Sequence, residues 1–175
     1  MPMIQKICKY GDPILKKKAE PVTEFGPELK KFLEDMLETM YANRGVGLAA
    51  NQVGVLKQAI VIDASTEEQT VIYTLANPKV TEFSKEKGEY EEGCLSFPGI
   101  MENIHRPAHV VVKGQDWDGK ELTVDGSGFL AVVLQHEIDH LNGITFIDRM
   151  SSVKKLLHNK ELKEIKAGYS GKKKK

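Results

Sequence analysis

Two histidines and a glutamate within five residues, His136-Glu137-Ile138-Asp139-His140, carry the densest chemistry in this chain. On a helix, side chains four apart stack on one face, so both imidazoles reach a single metal ion. Glu137 lies about 100° around the helix from His136, near enough to reach a water on that ion without ligating it. A lone histidine on an apolar stripe is ordinarily a satisfied core residue. Two at this spacing beside a glutamate reverse that reading. His105, His109 and His158 lack such a context and are read as structural.

An open catalytic site takes three protein ligands and leaves one position for water. Downstream of His140 the chain offers only His158 and the acids Asp148, Glu161 and Glu164, all in poorly matched settings. Cys94, within Glu92-Gly93-Cys94-Leu95-Ser96, is the better third ligand, although an isolated cysteine is usually a small buried hydrophobe. Glu92 is placed either to hydrogen-bond near the ligands or to pair with Arg106. Cys8 is the only other cysteine and has no paired ligand motif, so an open site is favoured over a closed structural one. Counting alone leaves a Cys8–Cys94 bridge open. These residues read as a metal-dependent hydrolase of an amide. A zinc endopeptidase, a cysteine-nucleophile hydrolase and a metal-stabilised binding module stand as alternatives.

Several elements must position these groups. Pro2, Gly11-Asp12-Pro13, Pro21 and Gly26-Pro27 break any period, which gives an irregular N-terminal arm. Leu29, Phe32, Leu33, Met36, Leu37 and Met40 recur at helical spacing from Pro27 and stop before Asn43-Arg44-Gly45. Strands are expected at Ala59–Ile62 and Val71–Leu75, the second ending at Asn77-Pro78, with Val80–Phe83 as a neighbour. Val110–Val112 and Leu122–Val124 flank an Asp118-Gly119 hairpin turn. Ser127 is the expected N-cap of a helix over Phe129–Leu141, with Asn142-Gly143 closing it. One last helix is expected over Ser152–Lys166. The fold class is α+β, with short mixed or antiparallel strands packed around a central metal-binding helix and a C-terminal helix. Residues 1–168 are expected to form one catalytic domain, and the Lys-rich tail 169–175 to be disordered.

The bulk properties narrow the function classes. At 175 residues, 41% hydrophobic and 29% charged, the chain has the composition of an ordinary globular domain. Its 25 basic and 25 acidic residues balance, so specific DNA binding is not expected. No apolar run reaches the length that spans a bilayer. With two cysteines and no apolar leader at the start, a reduced, cytoplasmic protein is expected.

A third segment, Gly45-Val46-Gly47-Leu48-Ala49-Ala50-Asn51-Gln52, is weak alone and is not a phosphate loop. Together with Glu92-Gly93-Cys94-Leu95-Ser96 and Gln135-His136-Glu137-Ile138-Asp139-His140 it resembles the peptide deformylase family, in that family's motif order and separations. Tyr10-Gly11-Asp12-Pro13-Ile14-Leu15 and Phe146-Ile147-Asp148-Arg149 extend the resemblance over roughly residues 4 to 150. It implies removal of the N-formyl group from formyl-Met nascent peptides, with formate as the other product. It also implies Cys94, His136 and His140 as metal ligands, Glu137 as catalytic acid/base, and oxyanion stabilisation by the Gln52 amide and the Leu95 backbone N–H. Ferrous iron is the implied natural ion, with Zn2+, Ni2+ or Co2+ taking its place. Gly45 and Gly47 leave room for a peptide to lie against the backbone. Val46, Gly47, Phe129, Val132 and Val133 are the expected substrate-binding residues, with core packing as the competing role for the apolar ones. A ribosome contact through the basic C-terminal region is a further expectation, set against the plainer reading of a solvated helix face.

Overall fold

The computed structural model describes residues 1–172. Its first regular helix, α1 (Pro27–Ala42), begins where Pro27 supplies a preset φ. Leu29, Leu33, Met36 and Met40 form its buried stripe. Two polar residues on the same helix are also buried, and both fasten the N-terminal arm. Asp35 accepts from the Met3 N–H at 2.7 Å, and the Thr39 hydroxyl accepts from the Gln5 N–H at 2.8 Å.

The main sheet has the order β1-β2-β3-β6-β7, where β1 is Gly47–Ala49, β2 Ala59–Asp63, β3 Ile72–Phe83, β6 His109–Gln115 and β7 Glu121–Ser127. Every pairing within it is antiparallel. β2 explains the unbroken apolar run Ala59-Ile60-Val61-Ile62, because both of its faces are covered. Ile60 and Ile62 pack with Leu75, Val110, Val112 and Val124 under the central helix α2 (Phe129–Leu141). Ala59 and Val61 face the opposite way, onto Leu33, Met36 and Met40 of α1. Each fully buried aliphatic side chain of this kind contributes about 1.5–3 kcal/mol.

Three boundaries differ from those expected. β3 runs straight through Asn77-Pro78, because Asn77 takes a left-handed φ of 51° at an irregularity in the β3–β6 register. Its side chain then bonds Val22 N and Val22 O, so the bulge is tied to the arm and the strand resumes. Ser127 still pairs with His109 in β7, and Gly128 at φ 58° makes the sharp entry into α2 instead. The last helix is two: α3 (Ser152–Leu157) ends at His158, and α4 (Asn159–Lys172) continues past Gly168. α4 therefore enters the stretch whose composition suggested disorder; residues 173–175 lie outside the described residues.

A second, two-stranded sheet of β4 (Lys87–Gly93) and β5 (Met101–Pro107) was not marked by any apolar pattern. Its connecting loop, Cys94 to Ile100, carries Phe97 and Ile100 into a third apolar cluster with Phe146, Ile147, Met150 and Leu162. That cluster fixes the loop, and with it Cys94, beside the C-terminal end of α2.

Candidate metal centre and catalytic cleft

α2 is buried along nearly its whole length, and His136 and His140 emerge from it one turn apart. Their Nε2 atoms lie 3.3 Å from each other, and Cys94 Sγ lies 3.3 Å from His140 Nε2. One ligand atom from each of Cys94, His136 and His140 falls within 4.8 Å of the others. Among the described residues this is the one cluster of three or more such side chains that brings its donor atoms so close.

The surroundings suit a cation. His136 directs Nδ1 at Glu92 Oε1, 2.8 Å away, which fixes the ring and leaves Nε2 facing the cluster. Burial opposes a charge on His136, but hydrogen bonds to Cys94 and Glu92 outweigh it and raise its pKa well above the usual value. Burial and the neighbouring His136 hold His140 well below its usual value, in the neutral form that ligates. Two ring nitrogens and a sulfur converging at such distances fit a divalent metal ion.

Behind the histidines runs a buried ionic chain. Glu92 accepts from Arg106 Nε at 2.6 Å and Nη2 at 2.9 Å, so both contacts expected of Glu92 are present. Arg106 Nη1 donates to Asp139 at 3.0 Å, and Arg149 Nη2 donates to Asp139 at 2.7 Å. Burial pushes Glu92 upward, but bonds from His136 and Arg106 prevail and hold it below the ordinary carboxylate range. Asp139 and Arg149 escaped sequence reasoning. Asp139 sits inside the H-E-x-x-H segment, yet nothing local pairs it with a guanidinium 33 positions away.

Glu137 is 4% exposed, and its Oε2 has no hydrogen-bond partner among the described residues. Burial, aided by the nearby Glu92, pushes its pKa up to about 7. Gln52 is buried on a short 3-10 turn. Its Oε1 accepts from the Ala49 N–H at 3.0 Å, while Nε2 donates to Ser96 Oγ at 3.1 Å and lies 3.5 Å from Cys94 Sγ. Leu95 directly follows Cys94.

The cluster opens onto a cavity of about 660 Å3. Val46, Gly47, Phe129, Val132 and Val133 all line it, together with Gln52, Cys94, Leu95, His136 and Glu137. Val132 and Val133 are buried, whereas Val46 and Phe129 stand half-exposed at the mouth. Tyr90, Phe97 and Met101 also line it, and sequence reasoning missed them because they belong to the uncharted hairpin and its loop. His158 bonds Glu102 and Asp148 bonds Lys16, and among the described residues neither they nor Glu161 and Glu164 join the cluster. Cys8 and Cys94 are both free thiols.

Gly47 meets Glu137 more closely than any side chain would allow. A Cβ there would fall 2.6 Å from Glu137 Oε1 and 2.8 Å from Val133 Cγ1. Gly47→Ala is therefore expected to displace the carboxylate. An error of about 1 Å at a reacting group costs on the order of 100-fold in rate, against about 1–3 kcal/mol of stability for the overpacking. Paired kcat/KM and thermal-unfolding measurements check this; wild-type turnover in the variant would contradict the close approach.

Fold and site together define a metal-dependent hydrolase of α+β type: an open cleft, three convergent side chains able to hold a metal and a buried carboxylate beside them. The polypeptide deformylase family pattern matches residues 4–156. A peptide deformylase of Thermodesulfovibrio yellowstonii is 48% identical over 166 residues, 93% of this chain and 99% of that one. A Natranaerobius thermophilus peptide deformylase is 46% identical, covering 86% and 94%. Among solved structures, Arabidopsis thaliana peptide deformylase 1B superposes with a TM-score of 0.91 at 35% identity, over 96% of this chain and 93% of that one. The Plasmodium falciparum peptide deformylase gives 0.88 at 39%, over 95% and 98%. The chain belongs to the polypeptide deformylase family.

Proposed function

We infer that this protein removes the N-formyl group from the formylmethionine that begins nascent polypeptides, releasing formate and a free amino terminus. The observation that carries the reading is the meeting of Cys94, His136 and His140 at the floor of a cleft lined by Glu137 and Gln52. Those three residues would hold the metal. A divalent ion bound there would supply Lewis acidity, lowering the pKa of a water and polarising the formyl carbonyl.

The chain's own groups then have these tasks. Glu137 takes a proton from the attacking water on a carboxylate oxygen and delivers it to the leaving amine nitrogen. Gln52 is held by Ala49 and Ser96 so that Nε2 also faces the reacting centre. With the Leu95 N–H it stabilises the developing oxyanion, and one such donor contributes about 3–4 kcal/mol. Val132 and Val133, with Phe129 and Val46 at the mouth, give the methionine side chain an apolar seat. Gly47 offers its backbone to the peptide. β1 is an edge strand, and Val46 O accepts from Asp63 N, so the N–H and C=O of Gly47 point away from β2.

We propose ferrous iron as the natural ion, on the family resemblance; one sulfur and two imidazoles also suit zinc, nickel or cobalt. Residues 1–168 are taken as the catalytic unit, acting in the cytoplasm; no described helix is long and apolar enough to cross a membrane. The basic C-terminal helices, with Lys155, Lys160 and Lys163 exposed, are proposed to contact the ribosome. Lys160→Glu with Lys163→Glu should then weaken salt-sensitive co-sedimentation with ribosomes; unchanged pelleting would dismiss that contact.

The 3.3 Å approach of Cys94 Sγ to His140 Nε2 favours one rival, a cysteine nucleophile with a histidine base. Formate release from a formyl-Met peptide separates the two. Deformylation abolished by a chelator and restored by added metal is expected; activity indifferent to chelation would favour the rival.

A further inference from the structure

We propose that Arg44 is a specificity residue: its guanidinium receives an acidic side chain carried two or three positions after the formylmethionine. The proposal rests on the deformylation reading of the cleft and adds the direction in which the substrate leaves it.

That direction follows from the free edge of β1. Gly47, beside Glu137, presents its N–H and C=O outward. The outward N–H groups two residues to either side are both taken, Ala49 by Gln52 Oε1 and Gly45 by Met40 O, so burial sets the direction. Ala49, Ala50 and Asn51 are fully buried, whereas Arg44, Gly45 and Val46 line the cavity. Gln52 is itself buried, so a peptide paired along this edge cannot extend toward Ala49. It must run the other way, past Val46 and Gly45 to Arg44. At about 3.3 Å per extended residue, a peptide whose methionine lies beside Gly47 brings a residue two or three places later level with Arg44.

Arg44 is held there by its backbone. α1 closes with Arg44 N–H on Tyr41 O at 3.0 Å and Gly45 N–H on Met40 O at 2.9 Å, which places Arg44 at φ 57°. Glycine and asparagine are the usual occupants of that position. Gly45 then packs so tightly that a Cβ would fall 2.8 Å from Leu95 Cδ1, which pins the turn against the residue that follows Cys94. Arg44 lines the cavity and is exposed, and its side chain enters no hydrogen bond or ion pair among the described residues. Apart from the metal cluster, its ionic chain and Glu137, the other charged lining groups are Lys9 on the arm and Glu91 on β4.

The test compares kcat/KM for three C-terminally amidated peptides, formyl-Met-Ala-Glu-Glu, formyl-Met-Ala-Gln-Gln and formyl-Met-Ala-Lys-Lys. The metal-loaded protein is assayed as wild type, Arg44→Gln and Arg44→Glu. An exposed charge pair contributes little singly, so attraction plus repulsion should favour Glu-Glu over Lys-Lys by about five- to tenfold, mostly through KM. Arg44→Gln should bring the ratio near one, Arg44→Glu should invert it, and 0.5 M salt should shrink it in the wild type. A ratio that stays the same in all three proteins overturns the proposal and points to Lys9 or to no charge reading at all. Failure of the wild type on the Gln-Gln peptide would instead bring down the deformylation reading, and this proposal with it.

Discussion

Glu137→Gln should lose between about 100- and 10,000-fold in kcat while keeping its metal. The amide fills the same space, and the three atoms proposed to hold the metal come from Cys94, His136 and His140, so the centre should be untouched. What disappears is a group able to accept and return a proton. The effect should fall on kcat rather than KM, because the proton moves only in the transition state. Metal content by elemental analysis and steady-state kinetics on a formyl-Met peptide check both halves. A variant that keeps full turnover would remove the proton shuttle from the mechanism.

Cys94→Ala should weaken metal binding by more than about 100-fold, since loss of a mere supporting partner already costs 10- to 100-fold. His136 and His140 remain on a helix that the core holds rigidly, but two imidazoles form an incomplete set. The scaffold should survive. Cys94 sits at the margin of the third apolar cluster, whose bulk is Phe97, Phe146 and Ile147. Deformylation and metal content should therefore vanish together while the unfolding transition persists. The same variant discriminates against an endopeptidase-type site, which would draw its third ligand from beyond His140.

The two helices that flank the sheet and the H-E-x-x-H pair could be read directly because their signals are local. Period-3.6 apolar residues mark α1, and an i, i+4 pair marks a helix face. Gln52 gained meaning only through resemblance, and Cys94 stood as no more than the better third-ligand candidate until then, since no spacing rule connects either to a helix more than 40 positions later. The β4–β5 ribbon escaped notice because Lys87-Gly88-Glu89-Tyr90-Glu91-Glu92 is mostly charged and buries only Glu92, a residue that pattern reading places outside. Its burial makes sense only with Arg106 and His136 in place. Asn77-Pro78 resembles a strand terminator, and became a bulge because Val22 and Gln115 satisfy its side chain. Such long-range partners decide the fine structure, and a linear sequence does not display them.

The most direct test is X-ray absorption at the metal edge of the zinc- or iron-loaded protein. One sulfur and two imidazole nitrogens from the protein are predicted, with the sulfur signal lost in Cys94→Ala and retained in Cys8→Ala. A shell of nitrogen and oxygen alone, or a sulfur that survives the loss of Cys94, would contradict the account.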